Sequence, residues 1–359
     1  MTGRTIGLMK PGPVRESHAP RHSPMLPQWA PLAVVAAALV VTAGLLLSGA
    51  GGVRSVLAGW VVCFALPVWS AAVEGRRKAV DRLVTVLVTS AFGLALFPLV
   101  SILWTVLAKG APVLGAEFFS YSMRNVVGEG GGVYHAIVGT LLITAAATVI
   151  SVPIGLLTSI YLVEYGEGGR LARWIRFLVD VMTGIPSIVA GLFAYALFVI
   201  LVGPGVRMGI GGAIALSVLM IPVVVRSCEE MLKLVPNELR EASYALGVPK
   251  WRTVLKVVLP TALAGIVTGI TLAVARVIGE TAPLLVIAGL SDSVNFNLFS
   301  DRMATLPVFA YSAVTSPGVP PGPSIDRAWG SALVLLIIVM LLNLVARLVS
   351  HFFSPKGER

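Results

Sequence analysis

Charge is what this chain has least of. Of its 359 residues only 12% are Asp, Glu, Lys or Arg, and the acids are the scarcer class, 17 against 27 bases. A water-soluble domain cannot cover its surface with so few charges, so the shortage excludes a large soluble domain. Cysteine is nearly absent as well: Cys63 and Cys228 fall in or beside apolar runs, give no disulfide framework and leave the compartment unread. The histidines, His18, His22, His135 and His351, have no metal-ligand spacing, and H-E-x-x-H, G-x-S-x-G and C-x-x-C are missing, so neither a metal site nor a covalent nucleophile is suggested. Also missing is G-x-x-x-x-G-K-[ST], whose backbone N–H groups cradle phosphates; if ATP drives this protein, another chain hydrolyses it. The run GEGGGV at 128–133 has no strand before it and reads as a flexible loop, not a dinucleotide site.

What the chain does have is hydrocarbon. With 57% apolar residues and a mean hydropathy of +0.91, it is a membrane protein. A hydrocarbon core about 30 Å thick takes roughly 20 apolar residues per helical crossing. Eight apolar runs qualify, at 30–48, 54–73, 83–107, 133–163, 177–202, 209–227, 260–290 and 329–349. Putting the N-terminus inside assigns 20 of the 27 Lys and Arg to cytoplasmic segments, six to outer ones and Arg276 to a span. The opposite orientation reverses the positive-inside bias, so both termini are expected in the cytoplasm. The net charge of +10 is that bias, with attraction to anionic membrane lipid as a lesser reading, and is not evidence for nucleic acid.

Residues 1–29, with Pro11, Pro13, Pro20, Pro24 and Pro27 among scattered Arg and His, read as a disordered cytoplasmic tail. The run after it is longer than a signal-peptide core and has no clear cleavage site, which favours a retained helix. Residues 30–73 then read as an accessory transmembrane hairpin turning at SGAGGVR, 83–350 as the core, and 351–359 as a second cytoplasmic tail. The outer segments 108–132 and 291–328 are too short for a ligand-capturing domain.

The most informative polar stretch is VPNELREASYALGVPKWRTVLKVVLP, 235–260. Pro236 and Asn237 start a helix, Glu238 sits in its first turn where negative charge suits the dipole, and Ala242, Ala245 and Leu246 share a face that Gly247 can end. A second helical stretch from Pro249 carries Trp251, Val254, Leu255 and Val258 until Pro260 is expected to interrupt it. Lys250, Arg252 and Lys256 would suit a loop lying on the membrane surface. Glu241, Ala242, Gly247, Leu259 and Pro260, however, fit E-A-A-x3-G-x9-I-x-L-P, departing only by Ser243 at the second alanine and Val257 at the isoleucine. That pattern resembles the cytoplasmic signature of ABC importer permeases. MTGIPSIVAGLF (182–193), YLVEYG (161–166), LLNLVAR (341–347) and above all ARVIGETAPLL (275–285) look like phosphate-import permeases of the PstA type. The similarity runs from about residue 83 to the C-terminus and leaves out the tail and first hairpin.

The resemblance implies an all-α membrane fold, the six-helix transmembrane domain of a type I ABC importer, with the extra hairpin bringing the total to about eight transmembrane helices, in a bacterial inner membrane. It implies a non-catalytic chain without a cofactor, forming half of a phosphate pathway. Its partners would be a second phosphate permease subunit, a dimer of ATP-binding subunits that use ATP and Mg, and an extracytoplasmic phosphate-binding protein. Glu238, Glu241, Ala242, Ser243, Gly247 and Pro260 would then couple the chain to the ATPase. A permease for sulfate, molybdate or phosphonate would keep that loop but should lack G-E-T-A-P-L-L. A gradient-driven channel or transporter would have no use for a docking helix.

Three charges fall inside the apolar runs, and each costs about 2.5 to 3.5 kcal/mol near a helix centre on insertion scales. Asp180 lies near the cytoplasmic entry of its run, where Arg173 or Arg176 can pair with it. Arg276 lies 16 residues past Pro260. Its order with Glu280, base before acid, is the less favoured one for an i,i+4 pair on a helix, so the two read as facing a pathway. A planar guanidinium donates in parallel to two phosphate oxygens, with Arg226 as a second candidate contact or an ordinary positive-inside anchor. Phosphate near neutral pH keeps a proton it can donate to Glu280, whereas sulfate has none, so Glu280 is expected to orient Arg276 or reject sulfate. Pro153, Gly184 to Pro186, Pro222 and Pro283 interrupt the runs, either as packing kinks or with freed carbonyls in a wet cavity.

Overall fold

The computed structural model describes residues 25–49 and 51–353. The tail read as disordered lies, for residues 1–24, outside the described residues, as does the C-terminal tail from 354. All regular structure among the described residues is helical: α1 (Ala30–Leu47), α2 (Gly52–Cys63), α3 (Ala65–Val73), α4 (Arg76–Gly110), α5 (Ala116–Ser120), α6 (Tyr134–Ile160), α7 (Arg170–Thr183), α8 (Ser187–Leu201), α9 (Gly209–Lys233), α10 (Asn237–Ala245), α11 (Lys250–Thr253), α12 (Leu259–Val277), α13 (Ala282–Ile287), α14 (Leu306–Thr315) and α15 (Gly322–Phe353). Seven helical stretches are long and apolar enough to cross a membrane, and the bent pair α7 and α8 makes an eighth if counted as one span.

The chain divides within α4 into two compact units, Met1–Ile102 and Leu103–Arg359. In the first, the turn between α3 and α4 closes on Glu74. Its carboxylate accepts the Leu26 N–H at 2.9 Å, the Ser70 hydroxyl at 2.7 Å and Arg82 Nε at 2.8 Å. Arg82 and then the Ser70 and Leu26 donors stabilise the ionised form and hold its pKa at about 2. Trp29 and Trp69 meet edge to face, 6.3 Å apart.

In the second unit α6 packs along α9, and α12 closes the other side of α9. Ile143, Ala147, Leu216, Met220, Val224, Val258, Ile266 and Ala273 are buried in one continuous core. Where lipid is as apolar as a leucine, such helices are held by close fit and not by escape from water, which the many Ala and Gly at these contacts permit. A smaller cluster of Phe118, Val133, Phe309 and Val334 joins α5, α14 and α15. In the GEGGGV loop the Arg327 guanidinium donates to Gly128 O at 2.9 Å and Gly130 O at 2.8 Å, tying the loop to α15.

The helical runs differ from expectation at prolines. The 177–202 run begins earlier, at Arg170, and is two helices bent by 107°, because Pro186 lacks an N–H and its predecessor disfavours helical torsions. The 260–290 run ends as a helix at Val277, and α13 beyond it has only six residues, with Pro283 in its first turn. Pro260, by contrast, interrupts nothing. The run Lys250–Val277 passes through it, since a wide five-residue π-turn at Val254–Val258 just before it absorbs the lost bond and the ring.

Candidate functional site

Two of these breaks meet a third proline. Met182, Thr183, Ile185 and Ser187 around the α7/α8 break, Leu219, Pro222 and Val223 of α9, and Arg276 and Glu280 around the α12/α13 break line one cavity of about 180 Å³. That volume is far above what a single water requires. Close packing holds the breaks together: a Cβ on Gly191 of α8 would lie 2.5 Å from Pro283 Cα, so only glycine fits there.

The chemistry of the lining follows from where each helix stops. Arg276 is in the last turn of α12, where the negative end of the helix dipole favours a cation. Glu280 lies beyond the helix end and not one turn along it, its N–H bonded to Val277 O at 3.1 Å, so the i,i+4 geometry assumed from sequence does not apply. Among the described residues no ion pair or side-chain hydrogen bond engages Arg276 or Glu280. Thr183 and Ser187 add hydroxyls to the lining, and the first N–H groups of α8 have no partner within that helix. A guanidinium, a carboxylate, hydroxyls and a helix N-terminus around one small cavity can accept and donate to a hydrated oxyanion at once.

Arg226 stands elsewhere. It does not line the cavity but sits one turn from Pro222 toward α10, ion-paired with Asp180. The expected partners of Asp180, Arg173 and Arg176, are therefore corrected: both Asp180 and Arg176 turn toward α9, whose side chains come closer than those of α7 itself. Arg176 Nε donates to Glu229 Oε1 at 3.0 Å, and Lys233 joins the same carboxylate at 2.8 Å. The pairs Arg176–Glu229 and Asp180–Arg226, followed by the lining pair Thr183 and Pro222, form successive rungs along the α7/α9 seam, leading from the α10 end to the cavity.

At that end α10 forms as its sequence reads. Glu238 is in the first turn, and Gly247, at φ 73°, closes the helix with Gly247 N–H to Tyr244 O at 2.9 Å and Val248 N–H to Ser243 O at 3.2 Å. The two bonds make a Schellman cap, which needs the left-handed residue that glycine supplies. Glu238, Glu241, Ala242 and Gly247 are exposed, Leu246 is 83% exposed, and Pro260 is exposed in α12. Ser243 faces inward instead, sharing a 2.8 Å hydrogen bond with Thr253 that ties α10 to α11.

One group here was not singled out from sequence. Arg240 donates to Glu164 Oε1 at 2.8 Å, to Val235 O at 2.7 Å and to Leu232 O at 3.0 Å, joining α10 to the end of α9 and to the π-turn that follows α6. In sequence Arg240 looks like one more solvated charge; the available clue was Glu164, an acid at the mouth of an apolar run in YLVEYG. Loss of water, and then the Glu164 charge, push the Tyr244 phenol above its usual pKa.

A family described as binding-protein-dependent transport system inner membrane component matches residues 151–358. The chain belongs to that family. The matched range of this inner membrane component contains the cavity, the seam and α10, while α1 to α5 lie outside it. Phosphate transport system permease protein PstA 1 of Mycobacterium tuberculosis (strain ATCC 25618 / H37Rv) is 48% identical over 287 residues, 79% of this chain and 91% of that protein. Phosphate transport system permease protein PstA of Pasteurella multocida (strain Pm70) is 41% identical over 282 residues, 79% of this chain and 97% of its own. A chain of the crystal structure of a bacterial alginate ABC transporter in complex with an alginate pentasaccharide-bound periplasmic protein aligns with a TM-score of 0.54 at 12% identity, covering 77% of this chain and 97% of that one, a likeness of fold. The inner membrane component has the type I ABC importer transmembrane fold; among the described residues α4 onward supplies six candidate spans, counting the bent pair α7 and α8 as one, preceded by the hairpin of α1 with α2 and α3.

Proposed function

We propose that the chain is the permease subunit of an ATP-driven inorganic phosphate importer, forming half of the translocation pathway. The observation that carries the reading is the cavity at the helix breaks, where Arg276 and Glu280 stand unpaired together in a chain 41% to 48% identical to PstA permeases. Arg276 presents a planar fork to two phosphate oxygens, and Glu280 accepts a hydrogen bond from the O–H that phosphate retains. Sulfate, without a proton, meets only repulsion from the same carboxylate.

The chain is not the catalyst. ATP and Mg belong to a dimer of ATP-binding subunits, which α10 engages from the cytoplasm through Glu238, Glu241, Ala242 and Gly247. Arg240 passes the motion to α9 and α6, and the α7/α9 rungs pass it to the cavity. A second phosphate permease subunit completes the pathway, and an extracytoplasmic phosphate-binding protein supplies the anion. Both termini are cytoplasmic, and the basic cluster Arg76, Arg77 and Lys78 faces anionic lipid there.

The test is ATP-dependent uptake by vesicles containing the purified complex and its binding protein. Phosphate is expected to accumulate and sulfate not to. Glu280→Gln is expected to narrow the phosphate-to-sulfate preference about tenfold, one charge contact's worth; an unchanged preference would remove Glu280 from selectivity.

A further inference from the structure

We propose that Arg207 and Arg302 form an oxyanion-binding site at the end of the core remote from α10, where phosphate rests before it enters the cavity. The inference rests on the phosphate-import reading. Its frame is backbone. The Met208 N–H donates to Ile287 O at 3.0 Å and the Met303 N–H to Ala288 O at 3.1 Å, so the segments before α9 and before α14 hold the end of α13 from two sides. The residue preceding each donor is an arginine, and the two side chains converge: a Cβ on Gly289 would lie 3.2 Å from Arg207 Cδ and 3.4 Å from Arg302 Cδ. The Asn295 amide, bonded to Ser300 O at 2.7 Å, holds the turn that presents Arg302.

Nothing nearby uses these charges. Leu284 O accepts the Ala288 and Gly289 N–H groups, and Ile287 O and Ala288 O accept those of Met208 and Met303; among the described residues no hydrogen bond joins either guanidinium to a carbonyl of α13, so the arginines do not cap that helix. Asp292 and Asp301 share the loop, yet among the described residues no ion pair engages either guanidinium. α9, 25 residues long, starts two residues after Arg207 with no acid in its first turn, and its N-terminus adds positive potential. Two exposed guanidiniums and a helix N-terminus brought together without an ion-pair partner repel one another, and an anion relieves that repulsion.

Gly289 has no side chain to hold the two arginine stems apart, and a tetrahedral oxyanion can take both guanidinium forks at once. Its position suits a waiting site: α13, six residues and roughly 9 Å long at the helical rise, lies between Gly289 and Glu280.

Phenylglyoxal modification of arginine, read by peptide mass spectrometry on the complex in nanodiscs without binding protein, tests the site directly. Inorganic phosphate at about twice its Kd is expected to slow labelling of Arg207 and Arg302 about threefold relative to chloride at equal ionic strength. Labelling of the exposed Arg124 should not change. Equal protection by sulfate would support the site and leave discrimination to Glu280. Labelling equal in phosphate and chloride would overturn it. So would protection that appears only when phosphate-free binding protein is added, which would make the pair a protein-docking surface. Labelling needs neither ATP nor transport, so it stays readable even if vesicles fail to import phosphate.

Discussion

Along the α7/α9 seam charges come with their opposites: Arg176 with Glu229, Asp180 with Arg226, and beyond them Arg240 with Glu164. One turn further, at the helix breaks, Arg276 and Glu280 share a cavity and neither is paired. Both regions carry the same residue types within a few turns of helix, so composition does not separate them. The difference lies in what the charges are for. A charge removed from water is costly unless matched, so the seam uses matched pairs as fasteners. A pair kept apart is what the proposed phosphate pathway would require, since capacity left unused in the empty protein is free for an ion that comes and goes.

The comparison can be broken from either side. Arg240→Ala leaves the Glu164 carboxylate buried without its partner, and the purified complex is expected to lose about 3 kcal/mol of stability in thermal or denaturant unfolding. Adding Glu164→Gln should recover part of that loss, and a double-mutant cycle showing no coupling would count against the fastener role. Arg276→Ala should do the reverse, leaving stability and assembly unchanged while import falls between about 10-fold and 150-fold, the worth of a charge-assisted contact at about 1.5 to 3 kcal/mol. Arg276→Lys should restore only a fraction, because a point charge lacks the planar fork.

Gly247→Ala tests the junction between the seam and the partner face. Its left-handed torsion then costs about 1 to 2 kcal/mol, loosening the end of α10. ATP hydrolysis is expected to persist while import per ATP falls, and unaltered coupling would argue against α10 as the transmitting element. The smallest effect concerns Glu74, a matched charge outside both regions. Its pKa is depressed, so the ionised form stabilises its unit above about pH 4.5, and that contribution is lost as pH falls through about 2. Fluorescence of Trp29 and Trp69 should follow that loss, and Glu74→Gln should abolish its pH dependence.

Much of the framework was legible because hydrophobic length and proline punctuation are local signals. The spans, α10 and its Gly247 cap follow from residues close in sequence. The pairings do not. Arg240 meets Glu164 across 76 positions and Arg176 meets Glu229 across 53, distances at which a single sequence carries no pattern. Prolines were read with the right consequence at Gly184 to Pro186 and the wrong one at Pro153, Pro222 and Pro260, which lie within continuous helical runs, since whether a helix breaks at proline depends on the turn before it. Arg276 and Glu280 were found by their cost in hydrocarbon, but their separation across a helix end depends on where α12 stops, which apolar composition does not encode.

The unbroken helical run Lys250–Val277 begins three residues after Gly247 and ends just past Arg276. From Lys250 to Arg276 it measures roughly 39 Å at the helical rise, so it acts as a lever arm. A tilt of about 5° imposed beside α10 would sweep the guanidinium by roughly 3 Å, the reach of one hydrogen bond. On the proposed coupling, leverage of that size would turn a small rocking movement at one surface into capture or release at the other end of the rod, which passes through the wide turn at Val254–Val258.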